Sequence, residues 1–83
     1  MVKFKILVMT EEKLLTIINE LLMDEGEDKL DFLDMSCDLK NDIGLDSIAL
    51  AHLTVKIEDE YGVDIFADGL IKTIQEVYDK VNR

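Results

Sequence analysis

DIGLDSIALAHLTVKIEDEYG, residues 42–62, is the stretch of this 83-residue chain that decides its fold. Gly44 allows a tight turn, and a helix is predicted to begin at Asp46 or Ser47 and to end at Tyr61. The apolar stripe of this helix recurs at helical spacing and consists of Leu50, Leu53, Ile57 and Tyr61. The stretch therefore predicts a long amphipathic helix with one face in the core.

The opposite side of this helix is expected to face outward and comprises Ile48, Ala49, His52, Val55, Lys56 and Asp59. Ile48 and Val55 are branched aliphatic residues among polar neighbours, so they are either docking contacts or ordinary exposed apolar side chains. His52 is the one histidine of the chain. Without neighbouring helper residues, it is expected to be a polar or partner-contacting residue rather than a metal ligand or a catalytic base.

Two further long helices are predicted around this one. The first runs from Thr10 to Gly26 and places four apolar residues on one side, namely Leu14, Ile18, Leu21 and Leu22. The last begins at a capping box formed by Thr73 and Glu76. Its apolar positions are Ile74, Val77, Tyr78 and Val81. With a short helix expected within residues 63–72, the predicted fold is an all-α bundle of three main helices plus one short helix.

The remaining segments connect or precede these helices. The Asp-rich stretch from Glu27 to Leu45 is predicted to be a long connection pinned to the core by Leu30, Phe32, Leu33, Met35 and Leu39. The expected short helix would rest on one apolar turn made of Phe66, Leu70 and Ile71. Residues 1–8, MVKFKILV, are predicted to be an N-terminal extension, ordered or disordered, or the product of an upstream start codon. Residues 9–83 are expected to form one domain.

The composition argues against several classes of function. Nineteen Asp and Glu against nine Lys and Arg give a formal net charge of -10, so basic protein surfaces are expected as partners and nucleic acid is not.

No apolar run reaches the roughly 18 residues that a membrane-spanning helix needs. Cys37 is the only cysteine and is expected to be a small buried hydrophobe. Without a recognisable signal segment, a cytoplasmic monomer is the expectation.

Ser47 is the one residue with a chemical argument. It lies where a glycine turn leads into a helix, and the unpaired N–H groups and positive dipole there would stabilise a phosphodiester on its hydroxyl. The same position is also typical of a serine that only caps a helix. On the local pattern alone, simple capping is the more common explanation.

The segment LKNDIGLDSI at residues 39–48, followed by EDEYGVDI at residues 58–65, resembles the signature of the acyl carrier protein family. The resemblance covers residues 10–81, because the helices and the long loop follow in the family's order. It implies that Ser47 receives a 4′-phosphopantetheine arm from coenzyme A through a phosphopantetheinyl transferase that uses magnesium. Asp46 would help the transferase to place its metal and the serine.

The implied function is a carrier domain at residues 9–83, not an enzyme. The terminal thiol of the arm would hold acyl, aminoacyl or peptidyl groups as thioesters and present them to partner enzymes. These partners would be acyl-activating, condensing or acyl-transfer enzymes with basic docking surfaces. The alternative that remains open is a helical adaptor, or interaction module, that never receives an arm.

The resemblance places partner recognition along the modified helix, where Glu58, Asp59 and Glu60 match the acidic end. The two acidic positions nearer the serine in many fatty-acid carriers are Ala49 and His52 here. This departure favours a dedicated pathway, such as polyketide, nonribosomal peptide or specialised lipid assembly, over housekeeping fatty-acid synthesis. The expected partner-binding residues are Ile48, Ala49, His52, Val55, Glu58 and Asp59.

The spacing of residues argues against two other kinds of site, a calcium-binding loop and a hydrolase triad. A calcium-binding loop that starts at Asp24 would need Gly at its sixth position and Glu at its twelfth, but it has Lys29 and Met35 there. A hydrolase triad would need Ser47 and His52 to meet, but at ~100° per residue their side chains point to well-separated sides of the helix. No metal site and no catalytic residue are therefore expected.

Overall fold

The computed structural model describes residues 8–83. It contains three α-helices, which are α1 (Glu11–Asp24), α2 (Ser47–Tyr61) and α3 (Ile74–Asn82). The described residues form no β-strand and only one isolated antiparallel bridge, between Asp38 and Thr73. The all-α prediction is therefore confirmed. The predicted N-terminal extension lies outside the described residues except for Val8, which is exposed.

One hydrophobic core joins the three helices. α1 buries Leu14, Ile17, Ile18, Leu21 and Leu22, which include the whole predicted stripe. α3 buries Ile74, Val77 and Val81 and begins at the predicted capping box of Thr73 and Glu76. Met9 is also buried, and its backbone N–H and carbonyl bind the side-chain amide of Asn82 at 2.7 and 2.8 Å. This pair of hydrogen bonds ties the start of the first helix to the end of the last.

The buried face of α2 is rotated slightly from the predicted one. Its fully buried residues are Ala49, Leu53 and Ile57, while Leu50 and Tyr61 are only half-buried. The prediction that Ala49 faces outward is therefore wrong. Ala49 lies four and eight residues before the two large buried side chains, so all three stand on one face of the helix, and the methyl group fits where the helix meets the core.

Residues 63–72 do not form the predicted short helix. The Asp64 side chain accepts a hydrogen bond from the Phe66 N–H at 3.0 Å, and consecutive turns follow as far as Gly69. An aspartate that binds the backbone two residues ahead favours a turn over a helix. Ile65 and Ile71 are buried here, but Leu70 is 90% exposed, so the expected apolar turn does not form.

Asp68 fixes these turns to the end of α3. Its carboxylate lies 3.0 Å from the Lys80 ammonium and 3.7 Å from the Arg83 guanidinium. The hydrogen bond and the charge of Lys80 lower the pKa of Asp68 below its usual value. Lys80 and Arg83 lie at the C-terminal end of α3, where the helix dipole favours positive charge, and they also bind a neighbouring segment.

The long connection between α1 and α2 is attached to the start of α3. Three backbone hydrogen bonds make this attachment, namely Leu39 N–H to Lys72 O, Ile74 N–H to Cys37 O and Gln75 N–H to Met35 O, at 2.8 to 3.1 Å. Leu39 is buried, and Leu30, Leu33 and Met35 pack against the core as predicted. Phe32 does not, because its side chain is 72% exposed.

Asn19 attaches the same connection to α1. Its side-chain amide accepts a hydrogen bond from the Leu30 N–H at 2.7 Å and donates one to the Leu30 carbonyl at 3.0 Å. The side-chain amide of Asn19 thus supplies the Leu30 backbone with the hydrogen bonds that other backbone groups would supply within a strand or helix.

We expect Asn19→Ala to lower the free energy of unfolding by about 1–2 kcal/mol, because both backbone groups of Leu30 lose their partners in a half-buried position. Thr16→Ala is the matched control on α1, since the Thr16 hydroxyl only binds a carbonyl of its own helix at an exposed site. Urea unfolding followed by circular dichroism measures both. Equal stabilities of the two variants would show that the Asn19 amide does not hold the loop.

Candidate functional site

Ser47 is the first residue of α2, and its side chain is exposed. The residue before it, Asp46, caps the helix. Its carboxylate accepts a hydrogen bond from the Ala49 N–H at 2.8 Å, and its carbonyl accepts one from the Leu50 N–H at 2.9 Å. The Ser47 hydroxyl has no hydrogen-bond partner among residues 8–83. The cap of α2 is therefore Asp46. Capping, the simpler explanation for a serine at this position, does not account for Ser47.

The loop before Ser47 is held by carboxylates that bind the backbone. The Asp38 side chain accepts hydrogen bonds from the N–H groups of Asn41 and Lys40, and these bonds lower the pKa of Asp38 despite partial burial. Asp42 in turn accepts a hydrogen bond from the Asp38 N–H at 2.7 Å. The loop therefore presents the residues before α2 in one defined arrangement.

A glycine and a leucine complete the approach to the helix. Gly44 has a φ of 93°, a left-handed conformation that other residues rarely adopt, as the predicted turn requires. Leu45 follows, is fully buried, and donates its N–H to the Leu39 carbonyl at 2.9 Å. The buried Leu45 anchors the chain two residues before Ser47, so the backbone that leads to the exposed serine is held in place.

The outward side of α2 is apolar near Ser47 and acidic at its far end. Ile48 and Val55 are 66% and 55% exposed, and His52 lies exposed between them along the helix. Glu58 and Asp59 are exposed in the last turn. The structure thus brings five of the six predicted partner-binding residues to the surface, and the exception is the buried Ala49.

Two ion pairs join α1 to α2. Lys13 lies 3.0 Å from Glu60, and Lys56 lies 3.5 Å from Glu20. The hydrogen bond to Glu60 and its charge raise the pKa of Lys13. Glu58 and Asp59 form no ion pair with any residue of 8–83, so they differ from Glu60 in being unneutralised within that part of the chain.

The other reactive side chains do not form a second site. Cys37 is half-buried, and burial together with the nearby Asp34 and Asp42 raises the pKa of its thiol, which disfavours the nucleophilic thiolate. Ser47 and His52 share α2 without a hydrogen bond between them. In the described part of the chain, no group of three or more His, Cys, Asp or Glu side chains is arranged to hold a metal ion.

Residues 8–83 also include no helix that is long and apolar enough to cross a membrane.

Comparison with known proteins gives two matches. A family model described as "Phosphopantetheine attachment site" matches residues 12–81, a range that includes Ser47. The acyl carrier protein of Lactobacillus acidophilus is 32% identical over 74 residues, which cover 89% of this chain and 91% of that protein. No solved structure matches the chain.

The roles of Asp46 and Ser47 can be separated by stability. We expect Asp46→Ala to lower the free energy of unfolding by about 1 kcal/mol, because the Ala49 N–H loses its cap. Ser47→Ala should change it by less than about 0.5 kcal/mol, because an exposed hydroxyl without a partner is removed. Urea unfolding of the unmodified proteins checks both values. The reverse order would assign the cap to Ser47.

Proposed function

Since the chain belongs to the acyl carrier protein family, whose members carry phosphopantetheine and are not enzymes, we propose that Ser47 is the residue to which this group is attached. The observation that carries the proposal is the division of roles at the start of α2. Asp46 caps the helix, and the exposed Ser47 hydroxyl is left without a structural partner. The prosthetic group supplies a terminal thiol on which cargo is held as a thioester.

The first turn of α2 suits a phosphodiester on this serine. The N–H groups of Ser47 and Ile48 precede the first intrahelical hydrogen bonds, so they and the positive end of the helix dipole favour an anion there. Only one carboxylate oxygen of Asp46 is used by the cap. The second oxygen remains available to the metal ion of a transferase, which is the role that the resemblance gives to this aspartate.

The outward side of α2 supports a docking surface that continues from the attachment site. Ile48, His52 and Val55 would contact apolar parts of a partner, and Glu58 and Asp59 would meet its basic residues. Glu60 is excluded from this set because Lys13 already binds it. A partner would therefore gain little from Glu60 and more from the two unneutralised acids, since exposed charges that are already paired contribute weakly to a new contact.

The same surface favours acyl, aminoacyl or peptidyl cargo of a dedicated pathway over the cargo of general fatty-acid synthesis. His52 occupies one of the positions that are acidic in many fatty-acid carriers, and it is exposed. The other such position, Ala49, is buried, so a partner cannot contact its side chain without moving the helix. His52 is therefore the one accessible residue at which the charge departs from that of many fatty-acid carriers. We propose that this carrier acts as a monomer.

Mass spectrometry tests the attachment. We expect incubation with coenzyme A, magnesium and a broad-specificity phosphopantetheinyl transferase to add the mass of one arm to the protein. Ser47→Ala should gain none, because it lacks the acceptor oxygen. Ser36→Ala is the matched control, since Ser36 is also exposed but its hydroxyl binds Asp34 in the loop. It should be modified as fully as the parent.

An unmodified parent protein, after trials with transferases that include one from the source organism, would contradict the carrier function. That result would favour the helical adaptor. Modification of Ser47→Ala would instead show that the arm is attached elsewhere.

Partner choice is tested at His52. We expect His52→Glu to raise kcat/KM about 5-fold for transfer of a malonyl group to the arm by a malonyl transferase of bacterial fatty-acid synthesis, because an acid is restored opposite a basic surface. His52→Gln is the matched control, as it removes the imidazole without adding charge, and it should leave kcat/KM unchanged. An equal kcat/KM for His52→Glu and the parent would show that this position does not restrict partners.

A further inference from the structure

The loop between α1 and α2 contains a groove to which the proposed function assigns no role. It has a volume of about 300 Å³ and is lined by Leu30, Asp31, Phe32, Asp34, Cys37, Asp42 and Ile43. This volume lies at the lower limit of pockets that hold small ligands, so it fits a protruding side chain better than a large molecule. Phe32 stands at the groove with 72% of its surface exposed.

We propose that this groove is a second docking surface, and that its occupant is the phosphopantetheinyl transferase, which inserts an apolar side chain flanked by lysine or arginine. The inference rests on the proposed function, because it assumes that Ser47 is modified. It goes beyond that function by assigning to the transferase a surface on the loop side of Ser47, separate from the outward side of α2.

The position of the groove favours the transferase over other partners. Ile43 is four residues before Ser47, so their Cα atoms are at most about 14 Å apart even in a fully extended chain. A transferase must bring its own active site to the Ser47 hydroxyl. Enzymes that act on the cargo meet it at the far end of a long arm. A protein that works at the serine itself therefore comes within about 14 Å of Ile43, which lines the groove.

The chemistry of the groove defines the complementary surface. Apolar side chains from Leu30, Phe32 and Ile43 line it together with three aspartates, and removing a large apolar side chain from water at such a contact stabilises a complex. Two of the aspartates, Asp34 and Asp42, also bind groups of the loop itself. Asp31 has no hydrogen-bond or ion-pair partner among residues 8–83, so its charge is free to attract a basic residue.

The test is the steady-state kinetics of arm attachment, measured with coenzyme A and a broad-specificity transferase that modifies the parent protein. We expect Phe32→Ser to raise the KM for the carrier at least ~5-fold with an unchanged kcat, as for the loss of an apolar interface contact. Asp31→Asn should raise KM at low salt and make it less dependent on sodium chloride. Leu70→Ser is the matched control, since Leu70 is 90% exposed but lines a different groove, and its KM should equal that of the parent.

Because Phe32 is exposed, its replacement leaves the core intact, and circular dichroism of the variant should match that of the parent. A KM for Phe32→Ser within twofold of the parent value would overturn the inference while leaving attachment at Ser47 untouched. An equal rise for Leu70→Ser would also overturn it, as would a Phe32-dependent dimer in sedimentation with an unchanged KM, since a second copy would then fill the groove. Failure of the parent to be modified is a different result, and it would contradict the proposed function itself.

Discussion

The hydrogen bond from the Ala49 N–H to the Asp46 carboxylate is the interaction on which the functional region depends. It starts α2 at Ser47, so the serine is the first helical residue and its hydroxyl is not consumed by the backbone. It also sets the rotation of the helix, because the third residue then faces the core with Leu53 and Ile57. If Ser47 were the cap instead, its oxygen would bind a backbone N–H and would be a poorer acceptor for any group.

The loop before α2 makes this arrangement rigid without regular secondary structure. Its backbone groups are bound by the Asn19 amide, by the start of α3, and by the carboxylates of Asp38 and Asp42. Buried Leu39 and Leu45 then fix both ends of the turn that contains Gly44. A loop that satisfies its polar groups in this way can stay at the surface and still hold a reactive residue in one place.

The helices and their buried stripes could be predicted because apolar spacing, caps and glycines act over only a few residues. The start of α2 at Ser47 and the Thr73–Glu76 box followed from such local patterns. The errors concern residues for which hydrophobicity alone is a poor guide to placement. Phe32 is apolar but stays exposed while Leu30 and Leu33 pack against the core. Asp64 binds the backbone two residues ahead and favours a turn over a helix. Ala49 lies at helical spacing from Leu53 and Ile57, but its small side chain is a weak hydrophobic signal, so the predicted stripe did not include it.

The charge of the chain shows why a covalent attachment suits this surface. With a formal net charge of -10, the domain repels a free phosphate ligand, and Asp46 adds a negative charge beside Ser47. The start of α2 offsets part of this repulsion, but a helix terminus contributes only about 0.3–1 kcal/mol at an exposed site. A covalent bond to Ser47, as proposed, would remove the dependence of attachment on electrostatic attraction. The acidic surface would then be retained for the proposed basic partners on both sides of the serine, while the attached group stays in place.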